Sequence, residues 1–103
     1  MNPFDLLKNP QLIRDQMEKI KNELKNMTAT GSSGGNMVKV TVNGQMEIIS
    51  ILLDPICVDK RDIAMLQDLI VAADHDAIDR MQQQVKEKYG TMLNGMNIPG
   101  VNV

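Results

Sequence analysis

Hydrophobic residues recur every three or four positions near the start of the chain, which is the period of a helix with one apolar stripe. The stripe comprises Ile13, Met17, Ile20, Leu24 and Met27. Asn9-Pro10 places a capping residue before a proline suited to the first turn, which predicts a long helix starting near Pro10. So narrow a stripe needs a helical neighbour, either in an ordinary bundle or in a coiled-coil-like pair.

A two-residue period begins at Met37 and predicts a half-buried strand over 37–42. Its inward face would carry Val38, Val40 and Val42. Asn43-Gly44 follows, and this pair favours a two-residue hairpin turn with positive φ at both positions. The return strand, from Gln45 to Leu53, is apolar on both faces. These features predict an antiparallel hairpin at the centre of the chain.

The segment TGSSGGN, at 30–36, is rich in glycine and connects the first helix to the hairpin. A phosphate-binding loop would need a strand before it, a helix after it and a Lys-Ser/Thr pair at its end, and the sequence offers none of these. We therefore expect a flexible connector.

A second long helix is predicted after Asp54-Pro55, with Asp59 as its candidate cap and Asp62 three residues later. Its apolar stripe contains Ile63, Leu66, Ile70, Ala73, Ala77, Ile78, Met81, Val85, Tyr89 and Met92. The order helix, hairpin, helix predicts an α+β fold with a small antiparallel sheet between two long helices.

The doubly apolar return strand predicts self-association. One of its faces can meet the helices, but a chain of 103 residues has nothing left to cover the other. A second copy of the sheet is the natural partner, and the predicted dimer interface contains Ile49, Ile51 and Leu53. The sequence leaves open which face of the sheet forms it.

Composition narrows the functional classes. The chain has the size of one domain, and its single cysteine, Cys57, is expected to be a small buried side chain. No apolar run approaches the roughly 20 residues of a membrane span, so we expect a cytoplasmic protein. The formal net charge of -2 gives no argument for an anionic partner, so any such argument depends on how the charges are distributed.

Catalytic constellations are nearly absent from the sequence. His75 and Asp79 are four positions apart, but two ligands are a weak metal signal. The carboxylates of Asp74, Asp76 and Asp79 are best interpreted as a solvated acidic face. We therefore expect no enzyme activity, metal, cofactor or small-molecule substrate.

Three segments carry a resemblance to a known family. They are the loop TGSSGG, the strand and turn VKVTVNG, and the helix segment DLIVAADHDA at 68–77. Together with the Lys/Gln-rich first helix, they resemble the YbaB/EbfC family of bacterial nucleoid-associated proteins. The resemblance implies a single domain over 1–96 and a cytoplasmic, nucleoid-bound homodimer whose sheets associate and whose long helices project like tweezers to bind double-stranded DNA. Residues 97–103 are expected to form a disordered tail.

The distribution of charge agrees with projecting arms that contact phosphates. The predicted DNA-binding residues are Lys8, Arg14, Lys19, Arg80, Lys86 and Lys88. They outnumber the acids around them, whereas the stretch from Asp54 to Asp79 is strongly acidic. The alternative is a protein-binding adaptor whose helical arms grip a partner helix, through apolar surface rather than through cations.

Overall fold

The computed structural model describes residues 9–93 as an α+β fold in which the three strands of an antiparallel sheet lie between two helices in the order of the chain. The helices are α1 (Pro10–Asn26) and α2 (Ile63–Leu93), and the strands are β1 (Thr28–Ser33), β2 (Val38–Asn43) and β3 (Ile48–Leu53). A short 3-10 turn, Pro55–Cys57, connects β3 to α2. The predicted contact Lys8 and the predicted tail 97–103 lie outside the described residues.

The core lies between α2 and the first two strands. The sheet order is β1-β2-β3, and α2 packs mainly on β1 and β2. The inward side chains of β2 are fully buried, as their alternation predicted. Those of α2 that join them are Ala73, Ala77, Met81, Val85 and Tyr89. Cys57 is buried in the same core, which confirms its interpretation as a small apolar side chain.

The predicted flexible connector is wrong, because its first half is β1. Gly31 faces the backbone of α2, and a Cβ added there would overlap the backbone nitrogen of Ala77 and the carbonyl oxygen of Ala73. The small residues on both sides let the strand lie directly against the helix. The remaining glycines make the turn to β2, where Gly34, Gly35 and Asn36 all have positive φ.

The turn between β2 and β3 also differs from the prediction. Asn43 and Glu47 are paired by a backbone hydrogen bond of 3.0 Å, so the loop contains three residues, and its positive φ is at Met46. Gly44 serves a different purpose. Its N–H donates to the carbonyl oxygen of Leu24 at 2.8 Å, and a Cβ there would overlap that carbonyl. The loop is therefore fixed against the last turn of α1.

The cap of α2 is Asp62 rather than Asp59. The Asp62 carboxylate accepts the backbone N–H of Met65 at 3.0 Å. Asp59 instead pairs with Arg61 at 3.0 Å, and Asp54 caps the preceding 3-10 turn through the N–H of Ile56. The helix begins later than predicted because the Asp59 carboxylate accepts from the backbone N–H and the guanidinium of Arg61 instead of capping the helix.

Both faces of β3 are exposed, including the face that was expected to meet the helices. The β2–β3 register places Ile48, Ile51 and Leu53 on the same side of the sheet as the buried valines of β2. These side chains are uncovered because α2 lies over the other two strands. Ile49 is displaced by a bulge in this register. The opposite face of the sheet is rich in hydroxyls, and Thr30 and Thr41 are joined across it at 2.8 Å.

The first helix projects from this core and contains no fully buried residue. Met17 is 66% exposed, so the described part of the chain covers the apolar stripe of α1 only in part. The radius of gyration is 17.9 Å, against about 13 Å for a compact domain of this length. The molecule is therefore elongated, with extents of 62 × 22 × 17 Å.

Candidate nucleic-acid interface

The ends of the two helices meet at a small polar joint. The hydroxyl of Tyr89 donates to the Glu23 carboxylate at 2.6 Å, and the Lys88 ammonium lies 3.7 Å from the same oxygen. Burial and this hydrogen bond raise the pKa of Tyr89 to about 12. The backbone of α2 is non-helical at Tyr89, so the helix changes direction where it meets α1.

Beyond this joint, the described part of the arm consists mainly of α1. Glu23 is thirteen residues from the start of α1, which corresponds to about 20 Å of helix, whereas Tyr89 is only four residues from the end of α2, or about 6 Å. The part of α1 before Glu23 therefore extends about 14 Å farther than the described part of α2.

Two of the predicted DNA-binding cations are held by carboxylates of the same chain. Arg80 contacts Asp76 at 3.1 Å, and Lys88 contacts Glu23. Of the other predicted residues, Arg14, Lys19 and Lys86 are exposed. The favourable interaction between Lys19 and Glu23 contributes to lowering the pKa of Glu23, after the larger effect of the Tyr89 hydrogen bond. The predicted cations therefore fall into two groups. Arg80 and Lys88 make ion pairs with carboxylates, whereas Arg14, Lys19 and Lys86 make none within the described residues.

The interpretation of Asp76 as part of a solvated acidic face is wrong, because its carboxylate has partners within the chain. Its carboxylate accepts the backbone N–H of Ser32 at 3.0 Å, in addition to the contact from Arg80. The hydrogen bond from Ser32 is the main cause that lowers the pKa of Asp76. Asp76 therefore fastens β1 to α2, whereas Asp79 and His75 are exposed.

Sequence reasoning missed a row of cations on α1. Lys21 and Lys25 are seven and eleven positions after Arg14, so at 3.6 residues per turn all three side chains lie within about 40° of one another on one face of the helix. We call Arg14, Lys21 and Lys25 the basic row. The spacing was readable from the sequence, but attention to the outer ends of the helices excluded Lys21 and Lys25.

The basic row lies along an open groove of about 590 Å³ between α1 and the β2–β3 loop. The residues that line it are Arg14, Met17, Glu18, Lys21, Asn22, Lys25 and Gln45. Gln45 reaches the groove because the neighbouring Gly44 is hydrogen-bonded to α1. This groove combines exposed cations with two amide side chains, which is a chemistry suited to phosphate oxygens.

The described residues contain no cluster of three or more side chains that could hold a metal ion. None of the described helices combines the length and apolar character that crossing a membrane requires.

Comparison with known proteins places this geometry in a family. The chain matches the model of the YbaB/EbfC DNA-binding family over residues 1–96. It is 39% identical to a nucleoid-associated protein of Syntrophobacter fumaroxidans over 100 residues, which cover 97% of this chain and 91% of the relative. It is also 41% identical to a nucleoid-associated protein of Desulforamulus reducens over 100 residues, with coverages of 97% and 95%.

The fold is also similar to a solved structure. The crystal structure of an uncharacterized protein from Helicobacter pylori superposes with a TM-score of 0.68 at 22% identity, covering 90% of this chain and 98% of that one. At this identity the likeness concerns the fold alone. Together with the match over residues 1–96, these findings establish that the chain belongs to the YbaB/EbfC DNA-binding family.

Proposed function

We propose that this protein binds double-stranded DNA as a homodimer, mainly through phosphate contacts from its projecting helices. The observation that carries the proposal is the exposed row of cations on α1, in a chain of a DNA-binding family. Lys and Arg side chains contact a phosphate backbone whose charge is uniform along the duplex, so binding with little sequence preference follows. No aromatic side chain lies on the described part of α1, which disfavours base stacking on single strands.

The homodimer is proposed to form through β3. The backbone of Asp54 donates to Met37 of the neighbouring segment at 2.7 Å. Because hydrogen-bonding directions alternate along an antiparallel strand, the N–H and C=O groups of Ile51 and Leu53 point to the free edge of the sheet. An exposed edge of apolar residues is a template for pairing with another strand. A second copy would satisfy these groups and cover the bare apolar face.

A role in nucleoid organisation and gene regulation follows from this proposal. Both relatives described above carry the name nucleoid-associated protein. We therefore propose that this chain is located in the nucleoid of a bacterial cytoplasm and acts on DNA without enzymatic chemistry or a cofactor.

The proposal is tested by gel-shift titration of unrelated duplexes over a series of salt concentrations. We expect similar affinities for all duplexes and a linear fall of log affinity with log salt. The test variant changes Arg14, Arg80 and Lys86 to Glu, and the matched control changes Lys39, Lys60 and Arg61, which lie outside the arms, to Glu. Both variants are first checked for helix content and dimerisation. Wild-type binding by the folded arm variant would refute the proposal.

One observation favours the alternative adaptor function. Met17 lies exposed in the groove of α1, where an apolar face of a partner helix could cover it. Binding of a helical peptide that is insensitive to salt, together with no affinity for duplex DNA, would support the adaptor.

A further inference from the structure

We infer that the basic row of α1, rather than the cations of α2, is the principal phosphate-contact surface of this protein. This inference deepens the proposed function and depends on duplex binding. It assigns phosphate contacts to Lys21 and Lys25, which lie away from the outer ends of the helices and were therefore not predicted.

The first support is the alignment of the row. Arg14 and Lys25 are eleven residues apart on one helix, a distance of about 16 Å, with Lys21 between them on the same face. All three side chains are exposed, and none makes an ion pair within residues 9–93. A straight row of unpaired cations can contact several phosphates of one duplex without any rearrangement of the protein.

The second support is the β2–β3 loop, which borders the groove beside the basic row. The hydrogen bond from Gly44 to Leu24 fixes the β2–β3 loop beside the last turn of α1. This contact places the amide of Gln45 at the edge of the same groove as Lys21 and Lys25. Neutral amide donors beside cations add hydrogen bonds to phosphate oxygens without introducing repulsion.

The cations of α2 are less suitable for phosphate. Arg80 lies against Asp76, and that carboxylate is fixed in place by the N–H of Ser32. A phosphate approaching Arg80 would meet the negative charge of Asp76 about 3 Å away from the guanidinium. Lys88 has the same disadvantage next to Glu23. Among the α2 cations, only Lys86 lacks such a neighbour within the described structure.

The groove also contains one carboxylate. Whether neutralising it raises or lowers the affinity for duplex DNA tests the inference. The carboxylate of Glu18 lines the groove next to Lys21 and makes no hydrogen bond or ion pair within the described part of the chain. If phosphate enters here, Glu18 repels it. Glu18→Gln should therefore raise the affinity for duplex DNA, whereas Asp79→Gln on the exposed face of α2 should change it less.

The deciding experiment compares two doubly substituted proteins with the same change in charge. Lys21→Gln/Lys25→Gln neutralises two members of the basic row, and Arg80→Gln/Lys86→Gln neutralises two cations of α2. Affinity for one duplex is measured over a salt series by fluorescence anisotropy. We expect the α1 variant to lose at least tenfold in affinity and the α2 variant to lose less than threefold. The salt slope of the α1 variant should fall by about 0.9 for each lost contact.

Each outcome supports or overturns a defined claim. Equal losses in the two variants, or a larger loss in the α2 variant, would overturn the inference while leaving DNA binding intact. Failure of the wild-type protein to bind any duplex would overturn the proposed function itself. Circular dichroism and sedimentation are used to check that both variants keep their fold and assembly state, which we expect because glutamine is a good helix former at these exposed positions.

Discussion

At the scale of single residues, Gly31 is the position with the least room for change. Its α-carbon lies against the backbone of α2, so a methyl group would overlap atoms that cannot rotate away. We expect Gly31→Ala to lower the free energy of unfolding by about 3 kcal/mol, at the upper end of the usual effect of overpacking. Urea denaturation measures this change.

Gly90 provides the matched control for this prediction. It is also a glycine of the folded region, but apart from its chain neighbours and the nearby backbone of its own helix, no atom lies within 4 Å of the position of an added Cβ. Gly90→Ala should leave the stability unchanged or raise it by up to about 1 kcal/mol, because alanine favours helical backbone. Equal destabilisation by the two substitutions would contradict the proposed contact between β1 and α2.

The lowered pKa of Asp76 predicts that the stability of the protein depends on pH in the acidic range. Its pKa is lowered in the folded state by the N–H of Ser32, so its stabilising contribution is present above the unfolded value of about 3.9. The contribution is lost as pH falls through the lower folded value. We expect Asp76→Asn to be less stable than the wild type at pH 7 and to differ from it less at pH 2. Thermal unfolding at the two pH values measures this difference.

Asp79→Asn serves as the control for Asp76→Asn, because Asp79 is exposed and lies three positions after Asp76 on the same helix. Its stability should follow that of the wild type at both pH values. If the two asparagine variants behave alike, Asp76 does not fasten β1 to α2.

At the scale of elements, the joint between α1 and α2 contains a hydrogen bond from one hydroxyl. Tyr89 is 7% exposed and donates to Glu23. Tyr89→Phe keeps the ring but removes this hydrogen bond, which should lower the free energy of unfolding by about 1 kcal/mol. Since α1 has few other contacts, we expect faster amide hydrogen exchange in α1 than in α2 of this variant.

The same hydroxyl gives a prediction at alkaline pH. The pKa of Tyr89 is raised to about 12, so its contribution is fully present below the unfolded value of about 10 and is lost as pH rises through 12. The difference in stability between the wild type and Tyr89→Phe should therefore shrink between pH 10 and 12. A constant difference over this range, measured by urea denaturation, would exclude the hydroxyl as its source.

At the scale of the whole molecule, the uncovered face of β3 predicts the assembly state. Ile51 is 43% exposed in the isolated chain, on the face that α2 leaves bare. If a second copy covers this face, Ile51→Asp would place an unpaired charge in a desolvated interface, and the dimer should dissociate or unfold. Sedimentation at micromolar concentration measures the change.

Ser50→Asp is the companion variant, because Ser50 occupies the opposite face of the same strand. We expect it to weaken the dimer less than Ile51→Asp. Stronger dissociation by Ser50→Asp would show that the hydroxyl-rich face is the interface, and an unchanged dimer in both variants would remove β3 from it.

The sequence by itself determined the elements whose signals are local. Periodicity is a property of consecutive residues, so it predicted α1, β2 and α2 and the buried side chains of Val38, Val40 and Val42. The caps were only partly readable, because Asp54, Asp59 and Asp62 offer the same chemistry and the chain uses each for a different purpose.

Tertiary structure decided everything that depends on a distant partner. The TGSSGG segment has weak strand propensity, and its first four residues belong to β1 because Gly31 fits against Ala73 and Ala77, more than 40 residues away. The same long-range packing brings the Asp76 carboxylate to the backbone N–H of Ser32 on β1, and Arg80 pairs with that carboxylate. Composition and spacing cannot reveal which charges are already neutralised, because electrostatic pairing depends on distances that only the folded chain sets.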